Sequence, residues 1–268
     1  KNFNKCSKAL GFDKILAKLS NMLECEDSKH LVTEIEPISD IFELERLLSQ
    51  TNDANMLLLR FGAPSFNGLS NIDQPLNRAI NGGLLSTIEL FKIADVLYAF
   101  NCIKEWKKHS SQVKSGIDFL FDSLYSNKYL EEKIKSIILS EDTIADNASP
   151  ELLSIRKKIN AASDKIREKL DKLVHSRQSQ KYLQDALVTI CEGRFVIPVK
   201  SEHRKEIPGL IHDSSASGAT IFVEPMEVVE ANNEIRILRS QEKKEIERIL
   251  LELSLEVGSF AENISSGY

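Results

Sequence analysis

A chain of 268 residues with 42% hydrophobic and 28% charged side chains can bury a substantial core, and the profile is that of a helix-rich protein of two structural units. Its net charge of −5 argues against a protein that coats nucleic acid over its whole surface, so any polyanion contact has to be local. No apolar run reaches the roughly 18 to 20 residues of a membrane span, and "KNFNKCSKALGF" lacks the apolar stretch of a secretion signal; the expected compartment is the cytoplasm.

Cys6, Cys25, Cys102 and Cys191 form no C-x-x-C pair, so free thiols are expected rather than a zinc site or a disulfide framework. From Phe12 to about Glu141 the pattern is helical. One helix starts at Asp40, whose carboxylate can cap it while Glu43 reaches back, and stops at Gly62. A polar stretch with Gly62, Pro64, Gly68 and Pro75 then reads as a linker crossing a helical bundle. Asn81-Gly82-Gly83 ends the next helix, and Ser86 with Glu89 forms a capping box for the one after it.

A different regime begins at Ser149, a good cap followed by Pro150 at the first helical position. Leu152, Ile155, Ile159, Ala162, Ile166, Leu170 and Leu173 make a narrow apolar stripe, matched later by Ile235, Leu238, Ile246, Ile249, Leu253, Val257 and Phe260. The first of these helices is basic outside its stripe (Arg156, Lys157, Lys158, Lys165, Arg167, Lys169, Lys172, Arg177), and the second is acidic (Glu227, Glu230, Glu234, Glu242, Glu245, Glu247, Glu252, Glu256). Antiparallel pairing, with the second helix supplying counter-charge, is the expectation; the alternative is a nucleic-acid face on the basic helix. At 1.5 Å per residue each arm would extend on the order of 45 to 55 Å.

Between the arms the texture is β-rich. Val188, Ile190, Phe195, Ile197 and Val199 flank a Glu192-Gly193-Arg194 turn, and "GLIHDSSASGATIFVEP" supplies two further runs around a Ser/Gly loop. That loop is followed by β-rich residues rather than by a helix, so it is no phosphate cradle, and it lacks the G-x-S-x-G of a nucleophile elbow. Ser214, Ser215 and Ser217 read as a hairpin turn satisfying its own backbone, or as hydroxyls touching phosphates. The best electrostatic candidate is Lys200, His203, Arg204 and Lys205, joined by Lys181 and Arg194 and opposed by Asp185, Glu202 and Glu206. Two readings stay open for it: a nucleic-acid contact, or an ordinary solvated turn. His203 and His212 with Cys191 or Asp213 have no metal-ligand spacing and read as solvent-facing; Glu224 with Asp213 makes no evident acid–base pocket. The expectation is no catalytic residue, no metal and no cofactor within this chain.

The phrases "SPELLSIRKKI", the continuous run from Lys181 to Arg236, and more weakly "LSNIDQPLNRAINGGLLS" resemble the MutS-II family, the bacterial MutS branch associated with recombination suppression and stalled ribosomes. The resemblance implies a mainly α fold: a helical core bundle (1–148) and a long antiparallel two-helix lever (149–185 and 226–268) carrying a small β-rich clamp tip (186–225). It further implies a full-length homodimer, driven by ATP and Mg at a composite ATPase site, that closes on branched DNA or on the ribosomal RNA of a collided ribosome. No G-x-x-x-x-G-K-[ST] loop occurs here, so the expectation is a fragment without the ATPase and the nuclease-like Smr domains. The competing class is a protein-interaction scaffold whose lever transmits nucleotide state to a protein partner.

Overall fold

The computed structural model describes residues 9–23, 26–110 and 112–267; Cys6 and Cys25 lie outside them, while Cys102 and Cys191 are free thiols. The protein is mainly helical with two small antiparallel sheets. It divides into two compact units, one from the described residues of Lys1–Ala145 with those of Leu250–Tyr268, the other from Asp146–Ile249.

The first unit contains α1 (Phe12–Asn21), α2 (Glu26–Val32), α3 (Ile41–Phe61), α4 (Asp73–Ile80), α5 (Thr87–His109), α6 (Asp118–Ser123), α7 (Lys128–Ile137) and a short hairpin, β1 (Ile138–Ser140) with β2 (Thr143–Ile144). Local chemistry sets most of these boundaries. Asp40 accepts from the amides of Phe42 (2.9 Å) and Glu43 (3.4 Å) and so caps α3, but Glu43 turns away from the cap to pair with Arg46 at 2.7 Å. Gly62 ends α3 at φ +75°, a conformation that costs glycine little. Pro75, expected in a linker, lies in the first turn of α4, where a missing N–H breaks no intrahelical bond. Both halves of the Ser86–Glu89 capping box are present at α5.

Helix α5 is the centre of this unit. Leu90, Ile93, Val96, Leu97 and Phe100 are fully or almost fully buried, and the helix packs against α7 and β1. By contrast α3 buries only Leu57, leaving Phe42 (81%), Leu48 (60%) and Leu59 (75%) exposed.

The second unit contains α8 (Pro150–Val174), β3 (Thr189–Cys191), β4 (Arg194–Lys200), β5 (Gly209–Ser214), β6 (Thr220–Pro225) and the first part of α9 (Met226–Gly267). Ser149 accepts from the Leu152 amide at 3.0 Å to cap α8. The helix stops at Val174, short of the expected 185, because the Ser176 hydroxyl bonds the Ser179 amide (3.2 Å) and hydroxyl (2.9 Å) and so favours turns. Three contacts align α8 with α9: Ser149 with Glu245 (2.6 Å), Arg156 with Glu242 (2.7 Å), and Lys169 with the Glu227 carbonyl (3.2 Å). Numbers rise on one helix as they fall on the other, so within this unit the two run antiparallel.

The strands order as β3-β4-β6-β5, all neighbours antiparallel. Glu192 (φ +46°) and Gly193 (φ +77°) join β3 to β4 in a two-residue turn whose positive φ values match strand twist. Phe195, Ile197, Val199, Ile221 and Val223 pack with Ala162, Ile166, Leu170 and Val174 of α8 and with Val228 and Ile235 of α9 in one apolar cluster. Burial of such side chains contributes about 1.5–3 kcal/mol each.

Candidate nucleic-acid interface

Three separate segments meet at one end of this sheet. Leu183 bridges to Val199, the Lys200 amide donates to the Tyr182 carbonyl (3.0 Å), and Lys200 Nζ donates to the Lys181 carbonyl (3.3 Å). Lys181 and Lys200 are therefore neighbours although 19 residues apart in sequence. Lys181 Nζ sits 4.8 Å from the centroid of the Tyr182 ring, and the His203 imidazole packs on that ring at 5.1 Å. Beyond Lys200 the chain folds into tight turns, with the Arg204 amide donating to the Ser201 carbonyl and the Glu206 amide to the His203 carbonyl, which leaves Arg204 and Lys205 exposed.

The serine loop joins this group from the other strand pair. Ser201 donates through its amide to the Ala219 carbonyl (3.0 Å) and through its hydroxyl to the Gly218 carbonyl. Ser215 exchanges backbone bonds with Thr220 and Gly218, and its hydroxyl accepts from the Thr220 amide at 3.1 Å. Gly218, at φ +70°, completes a hairpin turn between β5 and β6. Ser214 and Ser217 remain exposed, with Ser217 Oγ 3.3 Å from Ser215 Oγ.

Arg194 is not part of that group. Its Nη1 donates to both oxygens of Glu224 (2.7 and 2.9 Å) and Nη2 to Asn233 Oδ1 (2.7 Å), leaving the side chain 14% exposed. Glu224 is fully buried and accepts two further bonds, from His212 Nε2 (2.5 Å) and Asn232 Nδ2 (2.8 Å). Asn232 in turn brackets Phe195 of β4, accepting from its amide (3.0 Å) and donating to its carbonyl (3.1 Å). A buried carboxylate is tolerated only when its lone pairs are filled in this way. The network ties β4, β5 and β6 to the start of α9.

Sequence reasoning missed these roles. His212 reads as solvent-facing, but β5 shifts register between Ile211 and Asp213, and this bulge turns His212 inward toward Glu224. Asn232 and Asn233, residues of low helix propensity, commit their amide groups to the sheet. The available signal was two adjacent asparagines early in a helix, which have low helix propensity and call for a specific partner. Cys191, imagined with the histidines, has its thiol pushed up by burial first and then by the Asp213 and Glu192 carboxylates.

The second unit is thus a small antiparallel sheet mounted on an antiparallel helix pair, with cations and hydroxyls gathered at one end. No family model matches the chain. It is 47% identical over 252 residues to the endonuclease MutS2 of Ruminiclostridium cellulolyticum, a match covering 93% of this chain and 32% of that protein. It is 44% identical over 266 residues to the endonuclease MutS2 of Acetivibrio thermocellus (98% of this chain, 33% of that protein) and 38% identical to that of Agathobacter rectalis (98% and 34%). The chain belongs to the MutS2 family and spans about a third of the length of the curated relatives it matches. Among the described residues, no helix is long and apolar enough to cross a membrane.

Proposed function

We propose that this chain is the nucleic-acid-gripping region of a MutS2-type protein, with α8 and α9 as its lever and the sheet as its clamp tip. In the full-length protein, ATP with Mg at domains outside this chain drives a cytoplasmic homodimer to close on branched DNA or on the ribosomal RNA of a collided ribosome. The observation that carries the reading is the convergence of Lys181, Lys200, His203, Arg204 and Lys205 with the serine loop at one end of the sheet. Such groups grip phosphates without reading bases. Arg194 acts in this reading as an organiser of the tip, since its donors are committed to Glu224 and Asn233.

The test is fluorescence anisotropy of the chain with a four-way DNA junction, a linear duplex and a ribosomal RNA fragment across a salt series. The expected result is binding whose log K falls with log salt by about 0.9 per phosphate contacted on duplex DNA. Changing Lys200, Arg204 and Lys205 together to Glu should abolish it. Binding that ignores salt would count decisively against the proposal. A scaffold reading, in which the region docks on protein, draws on the exposed apolar side chains of α3, and it is preferred if none of the three nucleic acids binds.

A further inference from the structure

The charge complementarity expected between the two arms is only partly realised. Arg156 pairs with Glu242, but Lys157, Lys158 and Lys165 reach no carboxylate among the described residues. Lys169 is held by a backbone carbonyl, which leaves its charge uncompensated, and Lys172 pairs only with Glu168, both side chains being strongly exposed. By helical phase these five lysines occupy an arc of about 120° along one flank of the buried stripe of Leu152, Ile155, Ile166 and Leu170, with Glu168 inside the arc and Lys169 at its edge beside α9. Asp164 and Asp171 fall to its flank. Two shallow hollows lie along the face, one between Ser154, Lys157 and Lys158, the other between Lys165, Lys169 and Lys172 with Glu168 also in its wall, so that three lysines there face one carboxylate.

We infer that this lysine face is a second polyanion site, a track for the phosphodiester backbone of nucleic acid separate from the sheet end. From Lys157 to Lys172 it runs about 22 Å along the helix axis, the length of about six phosphates of one DNA strand. A protein partner is disfavoured by the absence of an anchor: among the described residues, no large apolar side chain of α8 is exposed, in contrast to α3. The inference rests on the nucleic-acid reading given above, but it engages different residues and stands or falls separately.

The deciding experiment titrates fluorescein-labelled duplex DNA, a four-way junction and a ribosomal RNA fragment with the unmodified chain, a stripe variant (Lys157→Gln, Lys158→Gln, Lys165→Gln) and the tip variant of Lys200, Arg204 and Lys205. Glutamine keeps helix propensity and removes charge, and circular dichroism checks that α8 persists. In the stripe variant, Kd at about 0.1 M salt should rise at least about tenfold, and the salt slope should become shallower by about 2 to 3. An unchanged slope in the stripe variant, with binding lost in the tip variant, overturns the track and leaves the tip reading standing. Loss in the stripe variant alone establishes the track and removes the tip. Failure of the unmodified chain to bind any of the three probes rejects both, and stripe-dependent capture of a polyglutamate peptide in their place overturns the track in favour of an acidic protein partner.

Discussion

The two units place their polar groups in opposite ways. In the helical unit the interior is mostly apolar, its buried polar side chains among the described residues being Ser110, Glu131 and Ser254, and they act singly: Ser254 accepts the Leu85 amide at 2.9 Å, while Ser86 with Glu89 starts α5 at the surface. In the β-bearing unit a complete ionic network lies inside, with Glu224 at 0% exposure, while the lysines of α8 and the sheet end remain outside. The difference teaches that the same residue types act as structure in one place and as surface charge in another. Burial and partner count decide which.

The comparison breaks most visibly at Arg194. Arg194→Met leaves the Glu224 carboxylate buried with only His212 and Asn232, and the expected loss is about 3–5 kcal/mol in urea unfolding followed by circular dichroism. Adding Glu224→Leu should restore much of it, because the unpaired charge goes with the partner. The equivalent insult to the helical unit is steric. Leu97→Ala, at a fully buried position of α5, should cost about 2–5 kcal/mol with no comparable second-site rescue by charge removal, read from the fluorescence of the single tryptophan, Trp106, in that unit.

A smaller effect tests how closely α9 approaches α4. A Cβ on Gly258 would stand 2.5 Å from the Ala79 carbonyl oxygen, a backbone atom that cannot swing aside. Gly258→Ala should therefore destabilise by about 1–3 kcal/mol, although alanine is the better helix former by about 1 kcal/mol. The smallest expected effect is electrostatic. Arg248, and after it Ser149, hold Glu245 down from 4.5 to about 2. A depressed folded pKa stabilises above the unfolded value and the contribution is lost as pH falls, so stability should decline between about pH 4.5 and 2. In Glu245→Gln that decline should be shallower in acid titration, because the variant is less stable than the unmodified chain at neutral pH and the difference closes as pH falls toward 2.

Local grammar was legible in the linear chain. Asp40, Ser86 with Glu89, Ser149 with Pro150, and the Glu192-Gly193 turn announce boundaries through groups only a few residues apart, and they act at those boundaries. The buried stripe of α8 follows its periodicity, with Ile159 and Leu173 half-exposed at its margin. Interactions that close over longer distances were not legible. A single bulge turns His212 inward, the fold carries Arg194 to a carboxylate 30 residues away, and the arms pass such that Arg156 finds Glu242 while Lys157, Lys158 and Lys165 find no carboxylate. By itself the sequence determined the capped helix starts, the tight turns and the apolar faces, because those depend on neighbours along the chain, while the end of α8 at Val174 was not among them. Only the tertiary structure decided which charges are spent inside and which are left for a partner, because that depends on where distant segments meet.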